Sequence, residues 1–242
     1  MKKVFNLFLC VLALGLAVPQ GAWAQKKAKR EKAPYEWKLP ELTGNKDFDE
    51  YLLKCDTMNT TIRQYCDNIT FYEVAEIVVV DESGEKDIRY HVVDAEGNLR
   101  SANKAFQQNL DLVLSGTSII TDMALMATFT ASASLALPSL GMKALSYGKY
   151  VKAGPKIIEQ GGKEIKKIVK RARAQARQIQ ALKKGNIDDV KALNAEVNAD
   201  VDTGSATLRQ IEMKAAEYEA KIGPINEADK EPIDAAVPEE EG

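Results

Sequence analysis

The sequence predicts a mainly α fold with a small β-hairpin, an α+β class built as an elongated helical bundle on a long antiparallel helical hairpin. Two heptad-like apolar seams, one on each side of a short Gly-Asn corner, predict the helical hairpin. A β-branched segment and an alternating segment around a Gly-containing turn predict the β-hairpin. The chain has 242 residues, which is enough for one or two ordinary domains.

The predicted organisation has five segments. They are a signal peptide (1–24), a flexible basic leader (25–45), a region with an amphipathic helix, a β-hairpin and an apolar helix (46–153), the antiparallel helical hairpin (154–222), and a disordered acidic tail (223–242). The tail prediction follows from its Pro and Glu content, because such a segment has little apolar surface to bury.

The first 24 residues have the three parts of a secretory signal. Lys2 and Lys3 give the charged start, residues 4–18 are apolar, and Ala22-Trp23-Ala24 forms a small-x-small cleavage site. This pattern predicts export and cleavage, and therefore a location in the periplasm or cell envelope of a bacterium.

The predicted first helix opens near Asp47 and carries both cysteines of the exported chain. Cys55 and Cys66 are eleven residues apart, which places them on one helix face but about 16 Å apart along its axis. A disulfide needs Cα atoms within about 7 Å. The pair is therefore interpreted as two buried thiols or, if the helix breaks or a second chain takes part, as a disulfide.

The predicted β-hairpin runs from residue 74 to residue 93 and contains His91, the only histidine of the chain. A single histidine excludes a multi-histidine metal site and weakens any Ser-His-Asp or Cys-His arrangement. The sequence also has no P-loop, no G-x-G-x-x-G and no C-x-x-C motif. No catalytic residue, metal ligand or cofactor is predicted, and the expected protein is not an enzyme.

The next predicted helix, capped by Ser101 or Asn103, becomes uncharged along its length. Residues 123–142 contain no charged side chain, and their number suits a bilayer span. Two interpretations remain open: a central helix buried in a helical bundle, or a segment (112–145) that enters a membrane.

The seams of the helical hairpin cover residues 158–182 and 187–222, with the corner at Lys183-Lys184-Gly185-Asn186. Gly185 is expected in the left-handed conformation that ends a helix, and Asn186 is expected to cap the next one. Folding the chain about this corner puts Gln175 beside Asn194 in one polar layer and Gly161 opposite Leu208. The alternative is that residues 202–205 break the second arm into two shorter helices.

Net charge is −2, so nothing global indicates nucleic acid binding. The first arm of the hairpin is nevertheless basic and offers contacts to an anionic surface. These candidates are Lys163, Lys166, Lys167, Lys170, Arg173 and Arg177.

Three function classes follow, in order of preference. The first is an exported, non-catalytic helical protein of the cell envelope that acts by binding a protein partner or by forming a homo-oligomer. The second is a membrane-associated protein with segment 112–145 in the bilayer and the basic arm at anionic headgroups. The third is an enzyme of unknown type.

Overall fold

The computed structural model describes residues 37–199 and 207–239, and within them the protein is a mainly helical α+β structure, which confirms the predicted class. The elements are α1 (Lys46–Asp67), β1 (Glu73–Val80), β2 (Lys86–Val93), β3 (Leu99–Arg100), α2 (Ala102–Ala136), a 3-10 segment (Leu137–Lys143), α3 (Ala144–Lys183), α4 (Ile187–Val197), β4 (Arg209–Lys214) and α5 (Ala215–Ala228). The signal-peptide prediction for residues 1–24 lies outside the described residues.

The longest helical pair of the fold is α2 with α3, which run antiparallel on the two sides of the 3-10 segment. Three contacts show one constant register: Gly116 lies against Val169, Gly162 against Met123, and Gly148 against Leu137. Helix α1 packs along this pair, so three helices share one core. The long helical hairpin of this protein is therefore α2–α3, whereas the sequence predicted it within residues 154–222.

The three helices approach each other closely because glycine occupies the crossing points. A Cβ atom at Gly161 would lie 2.6 Å from Ile62 Cδ1 of α1, and a Cβ at Gly154 would overlap the Tyr51 hydroxyl. Gly161 thus faces Ile62, and the predicted contact with Leu208 is wrong. The space that these glycines leave is filled by side chains of α1.

Helix α3 continues through Pro155, the second residue of the segment that was predicted as the helical hairpin (154–222). Proline has no N–H group, so the carbonyl one turn earlier, that of Val151, loses its helical donor. The Tyr51 hydroxyl donates to the carbonyl oxygens of Tyr150 (3.0 Å) and Val151 (3.4 Å). Burial raises the pKa of Tyr51 far above its usual value, which keeps this hydroxyl a donor.

The sheet has four strands in the order β3-β2-β1-β4, with β1 antiparallel to β2 and parallel to β4. The predicted β-hairpin is confirmed as β1 and β2. Val74 and Val92 pack on the ends of α2 and α3 and on α4. The opposite face packs on α5 through Tyr218 and Ile222. Two strands that would be marginal alone therefore lie between two helical layers.

The second arm of the predicted hairpin is not one helix to residue 222. The corner itself is as predicted: Gly185 has φ 72° and the Asn186 side chain accepts from the N–H of Asp189. Helix α4 then ends at Val197, residues 200–206 lie outside the described residues, and Arg209–Lys214 forms β4. Residues 209–214 fit period two as well as a heptad, and pairing with the edge of β1 satisfies their backbone groups.

The polar layer between α3 and α4 uses a different glutamine from the predicted one. Gln178 Nε2 donates to Val190 O (2.9 Å) and to Asn194 Oδ1 (3.4 Å). Gln175 is completely buried, and neither of its amide atoms has a hydrogen-bond partner in the described part of the chain. The heptad seam passes through position 175, but residue 178, one turn along the same side of α3, faces α4.

Both ends of the described chain are packed where the sequence predicted a flexible leader and a disordered tail. Trp37 is buried, and its Nε1 donates to Asp56 of α1 (3.0 Å). Ile233 and Val237 pack against the cluster between the sheet and α3. The Asp229 carboxylate accepts from the N–H groups of Ala102 (2.8 Å) and Asn103, which adds a tertiary cap to α2. Apolar and capping side chains therefore hold segments whose overall composition is polar.

We expect Gly154→Ala to lower the free energy of unfolding by roughly 2 kcal/mol, because the added methyl group must displace Tyr51 or the helix backbone. The matched control is Gly148→Ala in the same helix, where the nearest atom is 3.8 Å away. That change should raise stability by about 0.5–1 kcal/mol through lower chain entropy. Urea denaturation measures both, and equal effects would contradict the close approach at Gly154.

We expect Gln175→Met to raise the free energy of unfolding by about 1 kcal/mol, since it removes an amide that is buried without hydrogen bonds. The same replacement at Gln178 should lower it by about 1–2 kcal/mol, because it removes the hydrogen bonds from Gln178 Nε2 to Val190 O and Asn194 Oδ1. Thermal unfolding of the two variants provides the comparison. A reversed order of the two stabilities would show that Gln175 carries the polar layer after all.

Candidate interaction surface at the hairpin tip

The end of the α2–α3 pair exposes three large aliphatic side chains, and we call this surface the hairpin tip. Leu135 is 83% exposed, Met142 95% and Leu145 94%. They are the three most exposed large apolar side chains in the described part of the chain. Scattered apolar residues on a surface are normal, whereas three almost fully exposed ones at one turn make this surface a candidate contact site.

The turn that presents the tip is built from Pro138, Gly141 and the loop before α1. Gly141 has φ 58°, a left-handed conformation that reverses the chain between α2 and α3. Asn45 Nδ2 donates to Ser139 Oγ (2.9 Å), and the Tyr147 hydroxyl donates to Glu41 O (2.7 Å). The tip is therefore fixed to the start of α1.

Asp49 anchors the same loop. Its carboxylate accepts from the backbone N–H groups of Thr43 (2.7 Å) and Gly44 (2.8 Å). Burial raises the pKa of Asp49, but these hydrogen bonds and the charge of Lys143 outweigh it, so that the pKa lies below its usual value. Lys143 thus lies on the side of the tip that faces α1.

The uncharged run of residues 123–142 is mostly exposed. Only Met123, Met126 and Ala133 are buried in it. By length and composition, one helical stretch among the described residues could cross a bilayer, and 28% of its most apolar window is buried inside the protein. The interpretation of this run as a central helix buried on all sides is therefore wrong, because α2 packs along a single stripe.

Three of the five hydroxyl groups in this run donate to backbone carbonyls one turn earlier. Thr130 Oγ1 donates to Met126 O (2.9 Å), and Ser134 Oγ donates to Thr130 O (2.8 Å). In the turn, Ser139 Oγ donates to Ala136 O (2.6 Å). These side chains satisfy their donors without water, which is the arrangement that lowers the cost of placing Ser and Thr in an apolar medium.

A row of exposed lysines follows the tip along α3. Lys149, Lys152 and Lys156 continue from Leu145 in steps of four, three and four, so the four side chains share one helix face. These lysines were not among the predicted anionic-surface residues, because the row crosses the predicted boundary between residues 153 and 154. Once residues 144–183 are known to be one helix, the spacing alone shows the row.

The predicted anionic-surface residues lie further along α3, and they divide into two groups. Lys163, Lys166, Lys167 and Lys170 are exposed, and Lys163 pairs with Glu159 at 2.7 Å. The other two differ: Arg173 is buried, and Arg177 forms an ion pair with Glu196 of α4 at 2.9 Å. Arg173 therefore cannot meet an external surface, since it lies in the contact between helices.

Neither Cys55 nor Cys66 is in a disulfide; both lie on the unbroken helix α1. Cys55 is buried beside Tyr51 and Gly154, and Cys66 is half-buried. Burial raises the pKa of the Cys55 thiol to about 11, so it stays protonated at neutral pH and is a poor nucleophile.

A cleft of about 320 Å³ lies between β3, the start of α2 and the segment before β1. Its most buried carboxylate, Asp94, accepts hydrogen bonds from Asn98 (2.8 Å) and Arg100 (2.9 Å). Burial opposes ionisation of Asp94, but these bonds outweigh it and hold its pKa below the usual value. In the part of the chain that the structure describes, no three His, Cys, Asp or Glu side chains are grouped as metal ligands.

His91 lies on β2 against α5, with its Nε2 2.8 Å from the Tyr218 hydroxyl. Burial, together with the nearby Arg89, lowers the pKa of His91, while Asp229 acts in the opposite direction. The side chain therefore joins the sheet to α5 in its neutral form.

No family model, curated protein or solved structure matches this chain.

We expect the protein to lose stability as pH falls through the unfolded-state pKa of histidine, about 6.5. The folded-state pKa of His91 is lowered, so the unfolded chain takes up a proton first and the stabilisation present above pH 6.5 is lost towards lower pH. Melting temperatures of the wild type and of His91→Gln between pH 8 and pH 5 measure this effect. The variant should show a smaller decrease, and an identical decrease would place the titrating group elsewhere.

Proposed function

We propose that this chain is an exported, non-catalytic protein of a bacterial cell envelope that acts by contact through its hairpin tip. One observation carries the proposal: Leu135, Met142 and Leu145 are almost fully exposed on a turn that is tied to α1. The backbone of this turn is already ordered, so that binding has to order only the side chains.

The helical bundle expected from the sequence enters the proposal in a changed form. The α2–α3 pair, with α1 along it, is the elongated support that carries the tip at one end of both long helices. The sheet and α5 join the other end, where β1 and β2 pack on α3 and α4. Contact at the tip therefore does not involve the edge strands of the sheet, β3 and β4.

The non-catalytic part of the proposal is supported by how the polar groups are used. The carboxylate of Asp94, the thiol of Cys55 and the imidazole of His91 are each engaged in packing or hydrogen bonds that hold one element to another. Export is supported by the sequence of residues 1–24. N-terminal sequencing of the protein from its native envelope should give Gln25 as the first residue.

The contact role is tested by placing a photo-crosslinking amino acid at position 142 and, as a matched control, at position 114. Leu114 is an exposed leucine on α2 (59%), but it lies about 31 Å from Leu135 along the helix. In intact envelopes, irradiation should give crosslinked products from position 142 and not from position 114. A second copy of the chain, another protein and lipid are distinguished by the mass of the product.

Equal crosslinking from the two positions, or none from position 142, would remove the tip as the contact surface. The result does not depend on folding defects, because both side chains are exposed and neither contributes to the helical core.

A further inference from the structure

We propose that the hairpin tip inserts into one leaflet of an anionic lipid bilayer, with Lys149, Lys152 and Lys156 at the headgroups. This inference rests on the proposed function, since it names the partner of the same tip. It goes further by giving the depth, the orientation and the residues that enter the lipid.

The depth follows from the way the uncharged run is folded. As one straight helix, residues 123–142 would be about 30 Å long, the thickness of the hydrocarbon core. In the structure the run reverses at residues 137–143, and only residues 123–136, about 21 Å of helix, extend from Asp122 towards the tip. That length exceeds one leaflet, about 15 Å of hydrocarbon, and falls short of two.

The orientation follows from the charges. Along α3, Lys149, Lys152 and Lys156 lie about 6, 10 and 16 Å beyond Leu145. With only the three tip side chains in the hydrocarbon, Lys149 and Lys152 lie at the headgroup level, and Lys156 can reach it by extending its side chain along the helix. Lys143 directly follows Met142, and its charge lowers the pKa of Asp49 in α1, so this side of the tip stays at the headgroups. The insertion is therefore shallow.

The basic row of α3 supplies the second signal that an apolar tip needs. Lys149, Lys152 and Lys156 are exposed on the helix that leaves the tip. A basic row next to an apolar tip is the combination that binds anionic membranes, because neither signal alone gives stable attachment.

The small size of the tip favours lipid over a protein partner. Three aliphatic side chains fall well short of the roughly 800 Å² per partner of a stable protein interface.

Vesicle sedimentation tests the inference with the chain from Gln25 onwards, so that residues 1–24 do not contribute. The protein should bind vesicles of phosphatidylcholine with 30% phosphatidylglycerol, bind pure phosphatidylcholine more weakly, and lose affinity in high salt. The triple variant Leu135→Glu, Met142→Glu, Leu145→Glu should lose at least about 100-fold in affinity. The matched control Leu114→Glu should bind as the wild type does.

Replacing Lys149, Lys152 and Lys156 by Gln should reduce binding to the anionic vesicles by about 100-fold and bring it close to binding to pure phosphatidylcholine. Far-ultraviolet circular dichroism of each variant verifies the fold, which these exposed positions should leave intact. If the two triple variants bind anionic vesicles as the wild type does, the inference is wrong.

An environment-sensitive dye gives a second, independent measurement. In a Cys66→Ser background, the dye on Leu145→Cys should shift to the blue when anionic vesicles are added, and the dye on Leu114→Cys should not. Shifts at both positions would mean that α2 lies flat on the surface, which contradicts insertion of the tip.

The vesicle and crosslinking experiments fail in different ways. If position 142 crosslinks to a protein in envelopes and the wild type does not bind vesicles, the tip is a contact surface and the lipid inference is wrong. If neither experiment distinguishes the tip from position 114, the proposed function falls as well.

Discussion

The structure depends on the close approach of α1 to the α2–α3 pair at Gly116, Gly154 and Gly161. Because these positions have no side chain, Tyr51 and Ile62 reach the backbone of α3. The Tyr51 hydroxyl then donates to the carbonyl oxygen that Pro155 leaves without a helical donor. The same contact sets the register of the two long helices, and the register decides which side chains end at the turn. The exposed tip is thus a consequence of tight packing elsewhere in the helical layer.

Local signals in the sequence predicted local structure well. The left-handed Gly185, the Asn186 cap, the Ser101 cap and the β1–β2 hairpin follow from short-range chemistry, and they occur as expected. Pairing between distant segments was not predictable in the same way. Helix α3 carries apolar side chains on more than one face, so its seam fits α2 as well as α4, and only three-dimensional packing selects the longer partner.

The candidate site was half visible in the sequence. The uncharged run of residues 123–142 is evident in the sequence. The exposure of its side chains, however, depends on how many helices pack around α2, and sequence periodicity does not determine that number. The prediction that Arg173 lies on the surface was wrong because a basic stretch of helix has a buried face as well as a solvent-exposed face, and Arg173 lies on the buried one. The lysine row was missed for a related reason. It crosses Pro155, and the carbonyl that this proline leaves without a helical donor is bonded by a tyrosine 104 positions earlier in the chain, which local sequence does not reveal.

The cap that Asp229 gives to α2 has a consequence for the order of events during biosynthesis. The carboxylate that completes the first turn of this helix is 127 residues away from Ala102, near the end of the chain. Helix α2 therefore stays without this anchor until synthesis has passed residue 229. The start of this helix and the segment around Asp229 are thus stabilised together, whereas the local Ser101 cap is available as soon as the helix itself has been made.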